Sequence, residues 1–171
     1  MTNFKTEIKW AGIFIAVMLI WMLLENLSGL HSTYLEYHPM VTMFFMIPAF
    51  AVYILALRDK KQNDLDGYMT FGQGFKAGMI ISIIITVLSP LNQWIISYVI
   101  TPEFFPNVIE YSLETGYHEN RAAAEAYFSY KNYAIQSTVW ALISGVLTSA
   151  LVALFMRSRA ISNKEALDNL Q

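Results

Sequence analysis

Residues 77–100 have the sequence AGMIISIIITVLSPLNQWIISYVI, and this stretch decides the fold because it contains no charged residue. A helix rises about 1.5 Å per residue, so about 20 apolar residues cross the hydrocarbon core of a bilayer. Three further apolar stretches cover residues 10–30, 39–57 and 133–156, and among the four only the first carries a charge, at Glu25. The sequence therefore predicts an all-α, polytopic membrane protein with four transmembrane helices.

The composition excludes several functions. The chain has 171 residues, of which 56% are apolar and only 14% charged, so we expect one integral membrane domain over residues 1–171 with the lipid bilayer as its main partner. A net charge of −2 does not indicate nucleic-acid binding, which requires an excess of positive charge. The chain has no cysteine, which excludes disulfides and thiolate metal sites. No sequence motif indicates a cofactor.

The cations predict the orientation. Nine of the eleven Lys and Arg residues fall on one side of the predicted spans, and Arg121 and Lys131 fall on the other. Short loops rich in Lys and Arg stay in the cytoplasm, so both termini are expected to be cytoplasmic in a multi-pass protein of the inner membrane. The nine cations are Lys5, Lys9, Arg58, Lys60, Lys61, Lys76, Arg157, Arg159 and Lys164.

The segment 101–132, between the third and fourth spans, is the only connection long enough to form a separate outer element. Its apolar residues recur at helical spacing from Phe104 to Leu113, and Thr115-Gly116 is a typical helix end. A second helix is expected to begin near Asn120. We predict two short amphipathic helices along the outer membrane interface.

Four runs of residues resemble a known family. They are 21–25 (WMLLE), 55–61 (LALRDKK), 69–75 (MTFGQGF) and 100–107 (ITPEFFPN), and the last is the most specific. The chain resembles an uncharacterised bacterial family of small four-helix inner-membrane proteins, known as domain of unknown function 4199. The resemblance covers nearly the whole chain and implies a location and an architecture. It implies no activity, substrate or catalytic residue.

Glu25 is the strongest candidate for a functional residue, because it is a charged residue that lies about 22 Å along the first predicted span, counted from Trp10. Three interpretations remain open. The first helix can end earlier and leave Glu25 and Asn26 in the wet interface. Glu25 can be a buried, hydrogen-bonded structural carboxylate. It can also handle protons or ions, as intramembrane carboxylates often do.

Small and polar residues repeat every three or four positions on the third and fourth spans. This spacing places them on one face of each helix, and small faces let two helices approach closely. The main interpretation is a packing seam between the two helices, formed by Gly78, Ser82, Thr86, Ala141, Gly145 and Ser149. The alternative is a polar pathway that joins Glu25 and Asn26 to Asn92, Gln93 and Gln136.

All three histidines, His31, His38 and His118, are expected on the outer side. With Glu36 and Glu119 nearby, imidazole and carboxylate groups could supply zinc ligands. Their spacing fits no known metal motif, so the sequence predicts interfacial histidines and no metal site.

Three classes of function remain open. A non-enzymatic structural or accessory protein, packing with itself or with an envelope protein, is favoured by the seam and by the amphipathic outer helices. A small transporter or channel subunit would use the intramembrane polar residues and would need to oligomerise. A membrane enzyme is the least favoured class because no catalytic grouping stands out.

Overall fold

The computed structural model describes residues 4–158, and all of its regular elements within this range are helical. Four helical segments are long and apolar enough to cross a membrane: Lys5–Leu27, His38–Asp64, Phe71–Ile100 and Tyr130–Met156. The predicted all-α architecture with four such helices is confirmed. Each segment starts before its predicted span, because helices continue past the apolar run into the polar residues that flank it.

The first span is a single helix, α1 (Lys5–Leu27), whereas the second is broken. Helix α2 (His38–Met43) is separated from α3 (Met46–Asp59) by a tight turn at residues 44–45. Pro48 has no N–H to donate to the carbonyl of Phe44, which accepts a hydrogen bond from the amide of Ile47 instead. The helix then continues from Lys60 to Asp64 with π-helical geometry.

The third span begins at a capping box, in which the Thr70 hydroxyl accepts from the Gln73 amide and the Gln73 side chain accepts from the Thr70 amide. Helix α4 (Phe71–Ile95) contains Pro90 and continues to Ile100 with π-helical geometry. The carbonyl of Thr86, left free by Pro90, accepts from the Ser89 hydroxyl at 2.9 Å. This carbonyl is therefore hydrogen-bonded although Pro90 cannot donate to it.

Helices α4 and α7 (Tyr130–Met156) pack antiparallel along most of their length. A Cβ added to Gly145 would lie 2.6 Å from Ser82, and one added to Gly78 would lie 2.7 Å from Ser149. In the same register Thr86 falls opposite Ala141. The structure thus places four residues of the predicted seam, Gly78, Ser82, Gly145 and Ser149, along one close contact. The Tyr53 hydroxyl joins this contact at 2.8 Å from the Ser82 hydroxyl.

Two short helices connect α4 to α7, as predicted: α5 (Phe104–Glu114) and α6 (Arg121–Tyr127). Gly116 follows α5 with φ +71°, a conformation that favours glycine, and the Asn120 side chain caps α6. Pro106 lies in the first turn of α5, where its missing N–H removes no helical hydrogen bond. It therefore starts this helix and does not break the preceding one.

Cation-bearing segments meet at one end of the bundle. Lys9 pairs with Asp59 at 2.6 Å, and the Lys61 ammonium donates to the Met156 carbonyl at 3.1 Å. These contacts join the start of α1 to the ends of α3 and α7. We call this the basic end. Arg159 and Lys164, two of the cations used to predict orientation, lie outside the described residues.

Candidate functional site

Glu25 lies at the end of the bundle opposite the basic end and is only 3% exposed. Its carboxylate accepts a hydrogen bond from the Trp21 indole, one turn earlier on α1. The Thr42 hydroxyl of α2 also donates to it, lying 2.9 and 3.0 Å from its two oxygens. The structure thus buries this carboxylate and gives it partners from two helices, so Glu25 does not lie in open water.

Two histidines face the same carboxylate. His31, in the loop after α1, is 2% exposed and places Nε2 3.3 Å from Glu25 Oε2. His38, the first residue of α2, is 19% exposed and places Nε2 3.7 Å from the same oxygen. The two imidazole rings lie 4.9 Å apart between centroids. Glu25, His31 and His38 therefore form one cluster, which we call the Glu25–histidine cluster.

Helix α5 closes the cluster. The Phe104 ring lies 5.1 Å from the His31 ring and 5.1 Å from the His38 ring, and it is itself buried. The Asn107 side chain donates to the His31 carbonyl at 3.0 Å, which fixes the loop after α1. The α5 segment thus covers the cluster, and His38 is its most exposed member.

One ligand atom each from Glu25, His31 and His38 lies within 4.8 Å of the other two. A carboxylate oxygen and two imidazole nitrogens are ordinary ligands for zinc and other transition metals. The same groups can instead share protons, because His31 Nε2 lies within 3.3 Å of the Glu25 carboxylate. The chemistry available at this end is therefore metal coordination or proton exchange.

The structure does not join the other polar candidates to this cluster. The Asn26 side chain donates to the Ile100 carbonyl at 2.9 Å, and the Gln93 amide donates to the Ser97 hydroxyl at 3.0 Å. Asn92 is buried with its side-chain nitrogen unpartnered, and Gln136 is half-buried on α7. Among the described residues, no hydrogen bond links Glu25 to Asn92, Gln93 or Gln136.

The remaining sequence candidates also lie elsewhere. His118 packs among aromatic rings, 5.4 Å from Tyr127 and 5.3 Å from Phe128, so it belongs to the α5–α6 segment. Glu36 is exposed and makes no ion pair with the two histidines near it in sequence. Of the groups considered from the sequence, the structure therefore brings His31 and His38 together with Glu25, and neither His118 nor Glu36 belongs to the cluster.

Sequence reasoning missed the groups that hold Glu25. Trp21 and Glu25 are four residues apart on α1, and His38 and Thr42 are four apart at the start of the second span. Side chains at this spacing share a helix face. This signal was available, but its use required knowing that α2 begins at His38.

A second polar network lies at the basic end. Glu7 is 2% exposed, and Lys60 lies 2.9 Å from it and 2.8 Å from Asp64. Asp59 accepts from Lys9 and from the Trp10 indole at 2.7 Å. These contacts fasten α1 to the end of the second span. The predicted second span ended at residue 57, whereas the helix continues to Asp64 and so carries Asp59, Lys60 and Asp64 into this network.

The fold defines a class, a multi-pass membrane protein with four helices of spanning length and a buried carboxylate–histidine cluster near one end. The family model described as a protein of unknown function, DUF4199, matches residues 9–158. The chain belongs to this family, and the resemblance seen in its sequence is confirmed. No curated protein and no solved structure matches the chain.

Proposed function

We propose that this protein is a non-enzymatic accessory protein of the inner membrane, with both termini in the cytoplasm. Its four helices form a scaffold that assembles with further copies or with an envelope protein. The scaffold presents the α5–α6 segment and the Glu25–histidine cluster on the outer side.

The observation that carries this proposal is an aromatic barrier between the two polar ends. Phe14 of α1 packs edge-on against Phe45 at 5.8 Å and against Tyr53 at 5.9 Å. Ala11 of α1 is fully buried in the same core cluster as Tyr53 and Phe14. An apolar, close-packed layer gives protons and ions no polar partners, so it supports a scaffold better than a pathway along α1.

The polar seam between α4 and α7 also supports a scaffold. The hydroxyls of Ser82 and Ser149 lie 3.2 Å apart, and those of Ser89 and Thr138 lie 2.8 Å apart. Because each hydroxyl bonds across the helix contact, these groups hold the helices together. Because these hydroxyls already bond to one another, they are poorly placed to bind a substrate that crosses the membrane.

The orientation is supported by the basic end, where the cation-bearing segments meet. The membrane side with more Lys and Arg in its short loops is usually cytoplasmic. The α5–α6 segment and the cluster are then on the outer side, where they can contact an envelope partner.

The experiment is purification from the native membrane in mild detergent, together with ion flux in vesicles. We expect the protein to elute with a defined partner or as a defined oligomer, and vesicles containing it to leak protons no faster than empty vesicles. A monomer without partners that conducts protons would contradict the proposal.

A transport subunit is the second candidate, favoured by one observation. The Thr86 hydroxyl and the Asn92 amide nitrogen flank Pro90 and are buried without hydrogen-bond partners. Asn92→Leu would remove one of these two unpartnered polar groups. If the vesicles conduct ions, loss of flux in this variant would support the transport function.

A further inference from the structure

We propose that Glu25, His31 and His38 bind one divalent transition-metal ion and that Zn²⁺ is the ion that fits best. The proposal is independent of the accessory role. It rests on the geometry of the cluster, on how its carboxylate is held, and on its charge.

The distances fit a tetrahedral ion. Bonds of about 2.0–2.1 Å to nitrogen and oxygen place neighbouring ligand atoms about 3.3–3.4 Å apart. His31 Nε2 already lies 3.3 Å from Glu25 Oε2, and His38 Nε2 lies 3.7 Å from it. All three ligand atoms lie within 4.8 Å of one another. To reach zinc geometry, His38 Nε2 would need to move about 0.3–0.4 Å closer to Glu25 Oε2.

The carboxylate is held before any ion arrives. Trp21 and Thr42 both donate to Glu25, from its own helix and from α2 respectively. Outer hydrogen bonds of this kind orient metal-binding carboxylates and strengthen binding. Phe104 packs on both imidazole rings and limits their rotation. An ion would therefore order few additional side chains.

The charge of the cluster also favours a cation. Among the described residues, the ion-pair partners of Glu25 are the two histidines, and no Lys or Arg pairs with it. With neutral imidazoles the cluster holds one buried negative charge, which is unfavourable without a counter-ion. A divalent ion would supply a counter-charge to the carboxylate, leaving the loaded site with one net positive charge, and would use both imidazoles in the neutral form that ligates metals.

The ligand set indicates the class of ion. Two imidazoles and a carboxylate suit zinc and its neighbours among the first-row metals, whereas soft ions prefer thiolates, which this chain lacks. Three protein ligands leave a fourth position for water or for a group from a partner. His38 lies at the open edge of the cluster, so the fourth position is expected beside it.

The test is metal binding by the full-length protein, purified in detergent without a polyhistidine tag and stripped with a chelator. Zn²⁺ bound at equilibrium would be counted by elemental analysis against His38→Gln and against the control His118→Gln. We expect one ion per chain in the parent and the control, and binding at least about tenfold weaker in His38→Gln. His38 is chosen because it is the least buried ligand.

Two further measurements keep the test decisive if His38→Gln folds poorly. The parent should melt at a higher temperature with Zn²⁺ than with chelator. Co²⁺ should give the intense visible bands of a tetrahedral site in the parent and in His118→Gln. A Co²⁺ spectrum identical to that of the aqueous ion, or equal Zn²⁺ affinity in His38→Gln and the parent, would overturn the proposal.

Discussion

Glu7 and Glu25 lie on the same face of α1, about five turns and hence about 27 Å apart. Each carboxylate is buried at its own end of the bundle. Glu7 pairs with Lys60 beyond α3, whereas Glu25 is held by Thr42 and the histidines near α2. The first helix is therefore attached to the second span by polar contacts at both ends and by apolar packing between them.

Reversing the charge at Glu25 should destabilise the protein. Glu25→Lys buries an ammonium group beside two imidazoles and leaves the donors Trp21 and Thr42 without an acceptor, at a cost on the order of 3 kcal/mol or more. Glu25→Gln keeps an oxygen acceptor of the same shape and should stay close to the parent. Thermal unfolding in detergent would measure both.

The matched control is Glu36→Lys, because Glu36 is exposed in the same loop. Its free energy of unfolding should lie within about 0.5 kcal/mol of that of the parent, as for most surface substitutions. If Glu25→Lys is as stable as Glu36→Lys, Glu25 is not buried in the folded protein.

Removing Lys60 should destabilise the protein, because the buried Glu7 carboxylate loses its ion-pair partner. Lys60→Met keeps the aliphatic stem but leaves Glu7 without its ion-pair partner, at a cost on the order of 3 kcal/mol. Arg121→Ala breaks an exposed pair with Glu110 and should cost no more than about 1 kcal/mol. Chemical unfolding of both variants would compare the two pairs, and equal losses would contradict this account of Glu7.

The sequence predicted the parts of this fold that depend on helix-scale patterns. Four charge-poor stretches gave the spans, and the four-residue repeat from Gly78 to Thr86 gave the seam that faces Ser149 and Gly145. The prediction of four spans is confirmed, because length and apolar composition decide whether a helix can cross a bilayer. The seam stays a prediction that agrees with the close approaches of Gly78 to Ser149 and of Gly145 to Ser82.

The candidate site could be predicted only in part. Glu25 stood out because a charge in an apolar stretch is conspicuous, but its partners come from a loop and from α2, and nothing in their spacing fixes how that loop folds. The break at residues 44–45 also escaped prediction, since the apolar stretch 39–57 predicts one continuous span. Long-range contacts such as Phe104 on His31 depend on tertiary packing and leave no local pattern.

Filling the seam should be costly. In Gly145→Ala the new Cβ would lie 2.6 Å from Ser82, so α4 and α7 must separate, at a cost of about 1–3 kcal/mol. Gly12→Ala is the control, because Gly12 is helical and nothing lies within 4 Å of an added Cβ. It should be neutral or stabilising, because alanine favours helix. Similar melting temperatures for the two variants would show that the seam is looser than described.

The orientation of the protein in the membrane is simple to test, because the chain has no cysteine. Single cysteines replace Gln62, near the basic end, and Glu114, at the end of α5; both positions are exposed. If the basic end is cytoplasmic, an impermeant thiol reagent added to intact cells should label Glu114→Cys and leave Gln62→Cys unlabelled until the membrane is opened. Labelling of Gln62→Cys alone would invert the topology and place the Glu25–histidine cluster on the cytoplasmic side.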